Sequence, residues 1–481
     1  MSGIFGVSSR SNCMADLFYG TDYHSHLGSQ YGGIAIMDNR NVIRKIHSIA
    51  QSQFKSKFYE DYIKIEGKKG IGVISSFCEQ PIFLNSKFGP FCIVTSGYIN
   101  NMEELFQELK SKGISFSEMT EGQINSTELV AKLINQGKDI VEGIESMFDR
   151  IDGSCSLILM NKDGLYAARD RSGYLPLAIG SKEGAWAAAT ESSSFPNTGF
   201  KINKFLGPGE ILLMTEKGLE VKQKKDNYMK ICAFLWIYTG FPASCYEGIN
   251  VETVRERSGR ALAMRDKDID VDVVSGVPDS GTAHAIGYAI EAKKPFRRPL
   301  IKYTPGYGRS YIPPSQEVRD HIAKMKLIAI KEIISGNRIT VCDDSIVRGT
   351  QMKNFTIKKL WEAGATEIHV RPACPPLMFP CKYTQSTRTI YELAARRAIR
   401  DIEGSDIDDV SEYLKFGSDK YNRMIEWIAK DLEVTTLRYQ TVDDMVDAIG
   451  LPKEKLCLHC WIGECSGCHN ERVNEKETAE V

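Results

Sequence analysis

Val341-Cys342-Asp343-Asp344-Ser345-Ile346-Val347-Arg348-Gly349-Thr350 decides how the rest of this chain is read. Apolar Ile339 and Val341 lead into two adjacent carboxylates, a loop of small residues follows, and Gln351 to Ala363 has a helical pattern. The stretch predicts a strand, a turn and a helix N-terminus. Such a terminus offers unpaired N–H groups and the positive end of a dipole, so it favours a phosphate. Ser345, Gly349 and Thr350 let backbone and hydroxyls approach an anion closely, and Arg348 adds positive charge. Asp343 and Asp344 suit the opposite partners: sugar hydroxyls, and a hard cation such as Mg²⁺ that takes oxygen ligands and keeps several waters. A 5-phosphorylated ribose carrying a pyrophosphate combines all of these groups. Two aspartates alone would read as an acidic turn; the ten-residue pattern is far more specific.

A second stretch has the same form. Val271 to Gly281 (V-D-V-V-S-G-V-P-D-S-G) is a β-branched run entering a Gly/Pro/Asp/Ser turn, and an alanine-rich helix is expected over Thr282 to Ala292. From about residue 229 strands and helices alternate, which predicts a doubly wound parallel sheet. Thr389 to Gly450 reads mostly as amphipathic helix. Before residue 228 the pattern is different: short β-rich segments such as Ile93 to Ser96, Cys155 to Met160, Ala185 to Thr190 and Glu210 to Met214, with helices near Met102 to Lys112 and Ser126 to Gln136. Lys222 to Tyr228 reads as a linker. The division expected is 1–228, 229–470 and a disordered tail, 471–481.

The chain has 481 residues, enough for two or three domains with ample core. Its 61 basic and 62 acidic residues leave a net charge of −1, so bulk charge draws it to neither nucleic acid nor membrane. No apolar run has the length of a membrane span, and M-S-G-I-F-G-V is not a signal peptide; a cytoplasmic location is expected. Thirteen cysteines, an odd count spread over a long chain, argue for metal or free thiols rather than a disulfide scaffold.

Val341 to Thr350 resembles the phosphoribosyl-diphosphate (PRPP) loop of type I phosphoribosyltransferases, and within that group the chain is most similar to the glutamine PRPP amidotransferase family. Val271 to Gly281 resembles the family's pyrophosphate turn, and Pro314-Ser315-Gln316 with Arg319 is a third match. The resemblance implies an α+β N-terminal αββα domain of the N-terminal-nucleophile hydrolase type, joined to an α/β type I phosphoribosyltransferase domain. It also implies a homo-oligomer, usually a tetramer. The PRPP contacts it implies are Gly276, Asp279, Ser280, Gly281, Lys302, Arg309 and Asp343 to Thr350, Val347 included, with Mg²⁺ at Asp343 and Asp344.

M-S-G-I-F-G resembles the start of class II glutamine amidotransferases, whose residue after the removed Met1 is a cysteine nucleophile. Here it is Ser2. The surrounding motifs depart further. The family's H-R-G-Q is His26-Leu27-Gly28-Ser29, without the arginine. The strand that supplies a carboxylate-binding arginine, Val73 to Phe77, has none. The oxyanion sequence H-N-G-N is Thr95-Ser96-Gly97-Tyr98, and the ammonium-binding aspartate is Ser126. Loss of one oxyanion donor alone costs on the order of 10²–10³ in rate. Scaffold matches persist at Gly153 to Ile158, Leu165 to Gly180 and Ala189 to Ser192, so the glutaminase fold is expected with its chemistry erased. His24 and His26 read as surface polar residues without a role.

The lid of the second domain also departs from the family. Lys302 to Ile312 keeps Lys302, Gly308 and Arg309 but gains a Pro305-Gly306 turn. Leu235 and Phe241 replace a glutamate and an arginine, and Tyr383 to Ser386 replaces Y-G-I-D.

The contexts of Cys232, Cys381, Cys457 and Cys460 resemble those that hold a structural [4Fe–4S] cluster in some family members. Four thiolates suit such a cluster and would staple the linker to the C-terminal helices. A tail-only zinc site at Cys457, Cys460, Cys465 and Cys468 is the rival reading, with its paired knuckles close together and His469 nearby. Cys13, Cys78, Cys92, Cys155, Cys245, Cys342 and Cys374 read as small apolar residues.

Three functions are compatible with this pattern. One is conversion of PRPP to 5-phosphoribosylamine with free or partner-delivered ammonia rather than glutamine. The second is a non-catalytic paralogue that binds PRPP or a nucleotide and regulates another protein. The third is phosphoribosyl transfer to another nucleophile.

Overall fold

A computed structural model describes residues 2–38, 41–120, 122–303, 327–383 and 389–463. Arg309, Pro314 to Gln316, Arg319, Thr384 to Ser386, Cys465, Cys468, His469 and the tail from 471 lie outside the described residues.

Residues 3–223 form two large antiparallel sheets and a short hairpin, Met119–Thr120 with Gln123–Ile124. The seven-stranded sheet has Gly3–Ser9 at its centre, between Ala185–Ala189 and Lys69–Ser75. The six-stranded sheet is centred on Leu165–Ala168 and Gly153–Met160, the latter also paired with Gly89–Ile99. Alternation along each strand makes two faces. Ile4, Ala35, Ile71 and Val73 meet Val94, Ile158 and Leu165 in a core between the sheets. Phe5, Val7, Ile34 and Ile74 point the other way, to Leu17, Phe54 and Phe58 on the helices Met14–Asp22 and Phe54–Lys64. The outer face of the second sheet is covered by Met102–Ser111, Ser126–Ile134 and Ile140–Arg150. The result is the four-layer αββα arrangement.

The second unit is a four-stranded parallel sheet in the order Val273–Gly276, Arg338–Asp343, Glu367–Pro372, Thr436–Leu437. Its strands are apolar on both faces, as a sheet covered on both sides requires. Val273, Ile339, Val341 and Ile368 pack on Ala395, Ile399, Met424 and Ile428 of the helices Ala394–Glu403 and Asp419–Leu432. Val274 and Cys342 pack on Leu262, Ala285 and Tyr288 of Val251–Met264 and Thr282–Ala292.

Two expectations are corrected. The helix after Thr350 is not uniform: Met352–Ile357 is π-helical and Lys358–Glu362 α-helical. Strand Gly218–Gln223 runs into the expected linker, so irregular chain begins at 224. Among the described residues no helix is long and apolar enough to cross a membrane.

Candidate functional site

The stretches Val271 to Gly281 and Val341 to Thr350 lie side by side. Val273–Gly276 pairs with Arg338–Asp343, with Gly276 opposite Cys342, and both turns leave from the carboxyl ends of parallel strands. That is the edge of an open α/β sheet where ligands are usually bound. The Val277–Ser280 turn folds tightly back: Val277 N–H donates to Cys342 O (2.9 Å), Gly281 N–H to Val277 O (2.8 Å). A Cβ on Gly281 would lie 2.3 Å from Cys342 O, and one on Gly276 2.4 Å from Gly281 O. Both glycines are demanded by this approach of backbone to backbone.

Asp344 is buried and Asp343 partly so. Ser345 Oγ donates to Asp344 Oδ2 (2.6 Å), Asp344 N–H to Asp343 Oδ1 (3.0 Å), and Ser280 Oγ to Asp343 Oδ1 (3.5 Å). The two turns therefore meet at the carboxylates. Burial pushes both carboxyl groups up, and for Asp343 the charge of Asp344 adds to the effect. A divalent cation or a set of hydroxyl donors would relieve that cost. Among the described residues no three or more His, Cys, Asp or Glu side chains are arranged to hold a metal ion. Mg²⁺ with two carboxylates would depend on ligand oxygens and water, its usual habit beside phosphates.

Other expected residues are placed differently. Arg348 turns to the surface, where its Nη2 stands 2.5 Å from Glu392 Oε2. Lys302 Nζ donates to Asp279 Oδ2 (2.8 Å), joining the end of strand Leu300–Lys302 to the Val277–Ser280 turn. Gly349 has φ +79°, a left-handed conformation suited to glycine, and Thr350 opens the helix.

Around Ser2 the groups are hydroxyls. Its Oγ donates to Ser75 Oγ (3.2 Å), which also accepts from the N–H groups of Phe77 (3.3 Å) and Cys78 (3.4 Å). Ser96 Oγ donates to Ser2 O. Thr95 and Thr127 pair through their hydroxyls at 2.6 Å, and Gln80 Oε1 accepts from Thr95 N–H (2.8 Å). Gly97 keeps its special backbone, with φ +157° and a virtual Cβ 1.9 Å from Ser154 O. The polar groups of this region satisfy one another.

His24 is fully buried, contrary to the surface reading. Its Nδ1 bonds Gly20 O (2.8 Å) and its Nε2 accepts from Glu191 N–H (3.1 Å); burial lowers its pKa to about 4. His26 Nε2 is 3.1 Å from Glu191 Oε1. Glu191 in turn accepts from Tyr246 OH (2.8 Å) and from Ser244 Oγ, across to the second unit. In sequence, Ala189-Thr190-Glu191-Ser192 reads only as scaffold. A buried glutamate needing partners was the signal available, but its partners lie more than 50 residues away.

The four cysteine contexts converge. Ile231–Cys232 pairs in parallel with Leu456–Cys457, Cys232 opposite Cys457. Cys460 O accepts from Met378 and Phe379 N–H (2.9 and 3.1 Å), beside Cys381. Tyr174 OH lies 3.4 Å from Cys381 Sγ. Its own proton is held by burial and by the charges of Cys232, Cys381, Cys457 and Cys460. Burial pushes the Cys232 thiol up to about 12. Four thiols are the donor chemistry that an iron–sulfur cluster would need, though among the described residues no three or more His, Cys, Asp or Glu side chains are arranged to hold a metal ion. Of the cysteines read as apolar, all but Cys245 are buried.

An αββα amidotransferase fold joined to a parallel sheet with a Gly-rich turn and an aspartate pair defines a two-part glutamine amidotransferase–phosphoribosyltransferase architecture. Residues 73–197 match the glutamine amidotransferase domain family. An amidophosphoribosyltransferase of Methanocaldococcus jannaschii is 31% identical, over 96% of this chain and 97% of its own. One from Synechococcus elongatus is 30% identical over 96% and 90%. The glutamine PRPP amidotransferase of B. subtilis, solved with ADP and GMP, superimposes with a TM-score of 0.81 at 28% identity, over 96% of this chain and 97% of that one. The chain belongs to the amidophosphoribosyltransferase family.

Proposed function

We propose that the protein converts PRPP to 5-phosphoribosylamine with ammonia, its glutaminase half being inactive. The observation that carries this reading is the meeting of the two turns at Asp343 and Asp344, with Ser280 and Ser345 as hydroxyl partners. Asp343 and Asp344 would take the ribose hydroxyls and Mg²⁺, Ser345 to Thr350 the 5-phosphate, and Gly276 to Gly281 the pyrophosphate, with Lys302 and Arg309 from the lid. The nitrogen lone pair forms the bond to C1 as the C1–O bond breaks, the bonding pair leaves with pyrophosphate, and the surplus proton goes to solvent. Ammonia comes from solution or from a separate enzyme. The residues at Ser2, Ser96, Tyr98 and Ser126 support the loss of glutamine chemistry, because they stand where the resembling family has the nucleophile thiol, the asparagines of the oxyanion sequence and the ammonium-binding aspartate. Cys232, Cys381, Cys457 and Cys460 would hold a structural [4Fe–4S] cluster.

Pyrophosphate release from PRPP and Mg²⁺, measured with ammonium, with glutamine and without a nitrogen source, tests this. Release is expected with ammonium alone, for the wild type and for Ser2→Cys, since the thiol restores no binding group. Glutamate production by either protein would overturn the inactive-glutaminase half. PRPP binding without release under any condition would favour the regulatory reading.

A further inference from the structure

A loop that wraps a phosphate turns N–H groups toward it, so its carbonyls need donors on the outer side. Three consecutive carbonyls have them. Val347 O accepts from Ala394 N–H (2.8 Å), Arg348 O from Arg397 Nη2 (2.9 Å), and Gly349 O from Lys353 N–H (2.9 Å). Two of these donors are backbone groups that come with their helices. The middle one is a side chain.

Arg397 is held in place. Asp431 Oδ2 accepts from the same Nη2 (3.2 Å), and the guanidinium carbon lies 5.9 Å from the Trp427 ring centroid. Trp427 and Asp431 belong to helix Asp419–Leu432, whose last residue also meets the loop. A Cβ on Gly349 would lie 3.3 Å from Leu432 Cδ2 and 3.9 Å from Arg397 Nη2. The arginine that the sequence offers, Arg348, faces Glu392 instead.

We infer that Arg397 is a positioning residue for the 5-phosphate: it holds the Arg348 carbonyl outward and thereby keeps the following N–H groups turned to the ligand. Its role depends on the reading of Asp343 to Thr350 as a sugar-phosphate loop. A single charged donor fixes the carbonyl at the peptide that enters the left-handed Gly349, where the loop has the most freedom to flip.

The test is calorimetry with ribose 5-phosphate without Mg²⁺, which leaves the 5-phosphate and ribose contacts and removes the metal and the pyrophosphate. Arg397→Met is expected to bind about tenfold more weakly, the loss typical of a hydrogen bond to a charged group. Arg397→Lys should recover part of the loss, because an ammonium can reach the carbonyl but cannot match the planar fork. Arg400→Met is the control, since Arg400 pairs with Asp406 (3.8 Å) one turn further on. It should bind as the wild type does. Amide exchange at Arg348 and Gly349 should quicken in Arg397→Met while the sheet is unchanged. Should Arg397→Met fail to fold, Asp431→Asn loosens the same guanidinium and should weaken binding severalfold. Equal binding by wild type and Arg397→Met, or equal loss in Arg397→Met and Arg400→Met, would overturn the positioning role. A wild type that binds PRPP with Mg²⁺ but not ribose 5-phosphate would also overturn it. Binding of neither would instead overturn the sugar-phosphate reading, and the role of Arg397 with it.

Discussion

Asp343 and Asp344 carry a cost of burial in the fold. Burial pushes both carboxyls above the ordinary value of about 3.9. The folded state then keeps protons that the unfolded chain has released. The stability this gives is complete below about pH 4 and is lost as pH rises through the raised values. Asp343→Asn keeps an oxygen acceptor for Asp344 N–H and Ser280 but removes the titration. In Mg²⁺-free buffer it is expected to melt above the wild type at neutral pH, with the gap closing toward about pH 4. Thermal melts across that range check this; equal melting temperatures at neutral pH would mean that the pair ionises without penalty. The pH dependence should flatten for the wild type when Mg²⁺ and PRPP are present together.

At the scale of an element, the Val277–Ser280 turn depends on backbone contact. A Cβ on Gly281 would meet Cys342 O at 2.3 Å and Val277 N at 2.7 Å, and neither atom is the end of a flexible side chain. Gly281→Ala is expected to push the turn off the strand end. It should cost about 1–3 kcal/mol of stability, as overpacking does, and weaken PRPP binding at least tenfold. Gly336→Ala separates this clash from simple strain. Gly336 has φ +77° but nothing within 4 Å of its virtual Cβ. It should lose about 1 kcal/mol and bind PRPP normally. Denaturant melts with calorimetry on both variants distinguish the two effects. Normal binding by Gly281→Ala would mean that the turn does not set the site.

For the whole molecule, the long-range tie is the ladder of Ile231–Cys232 on Leu456–Cys457, which joins the start of the second unit to its C-terminal end. Cys232 N–H also donates to Tyr174 O (3.1 Å) in the first unit. If the four cysteines hold a cluster, protein purified without oxygen should be brown and contain about four irons per chain. Cys232→Ser should lose the iron and melt earlier. Stoichiometric zinc retained by Cys232→Ser would move the metal to the tail cysteines alone. Beside this tie run Glu191, which accepts from Tyr246, and Arg169, whose Nη1 is 2.7 Å from Glu247 Oε1. The two units are joined by buried polar bonds as well as by chain.

The sequence by itself determined the strand–helix alternation that makes the parallel sheet of the second half, and a β-rich first half; the αββα layering of that first half came from resemblance to the family. Local chemistry made the turns legible: Val277–Ser280 and Asp343–Thr350 use neighbouring residues and glycines, and helix Thr282–Ala292 has the expected bounds. Four cysteine contexts could be picked out because thiols are rare and their flanks distinctive. What the tertiary structure decided are the partners of long polar side chains. Arg348 reads as the phosphate arginine in sequence, yet it is drawn to Glu392, while Arg397, from a distant helix, reaches the loop. His24 looked like a surface residue because its partners, Gly20 O and Glu191 N–H, are backbone groups that spacing does not reveal. Periodicity encodes which face of an element is buried. The end of a flexible charged side chain is placed only when distant backbone and counter-charges arrive beside it.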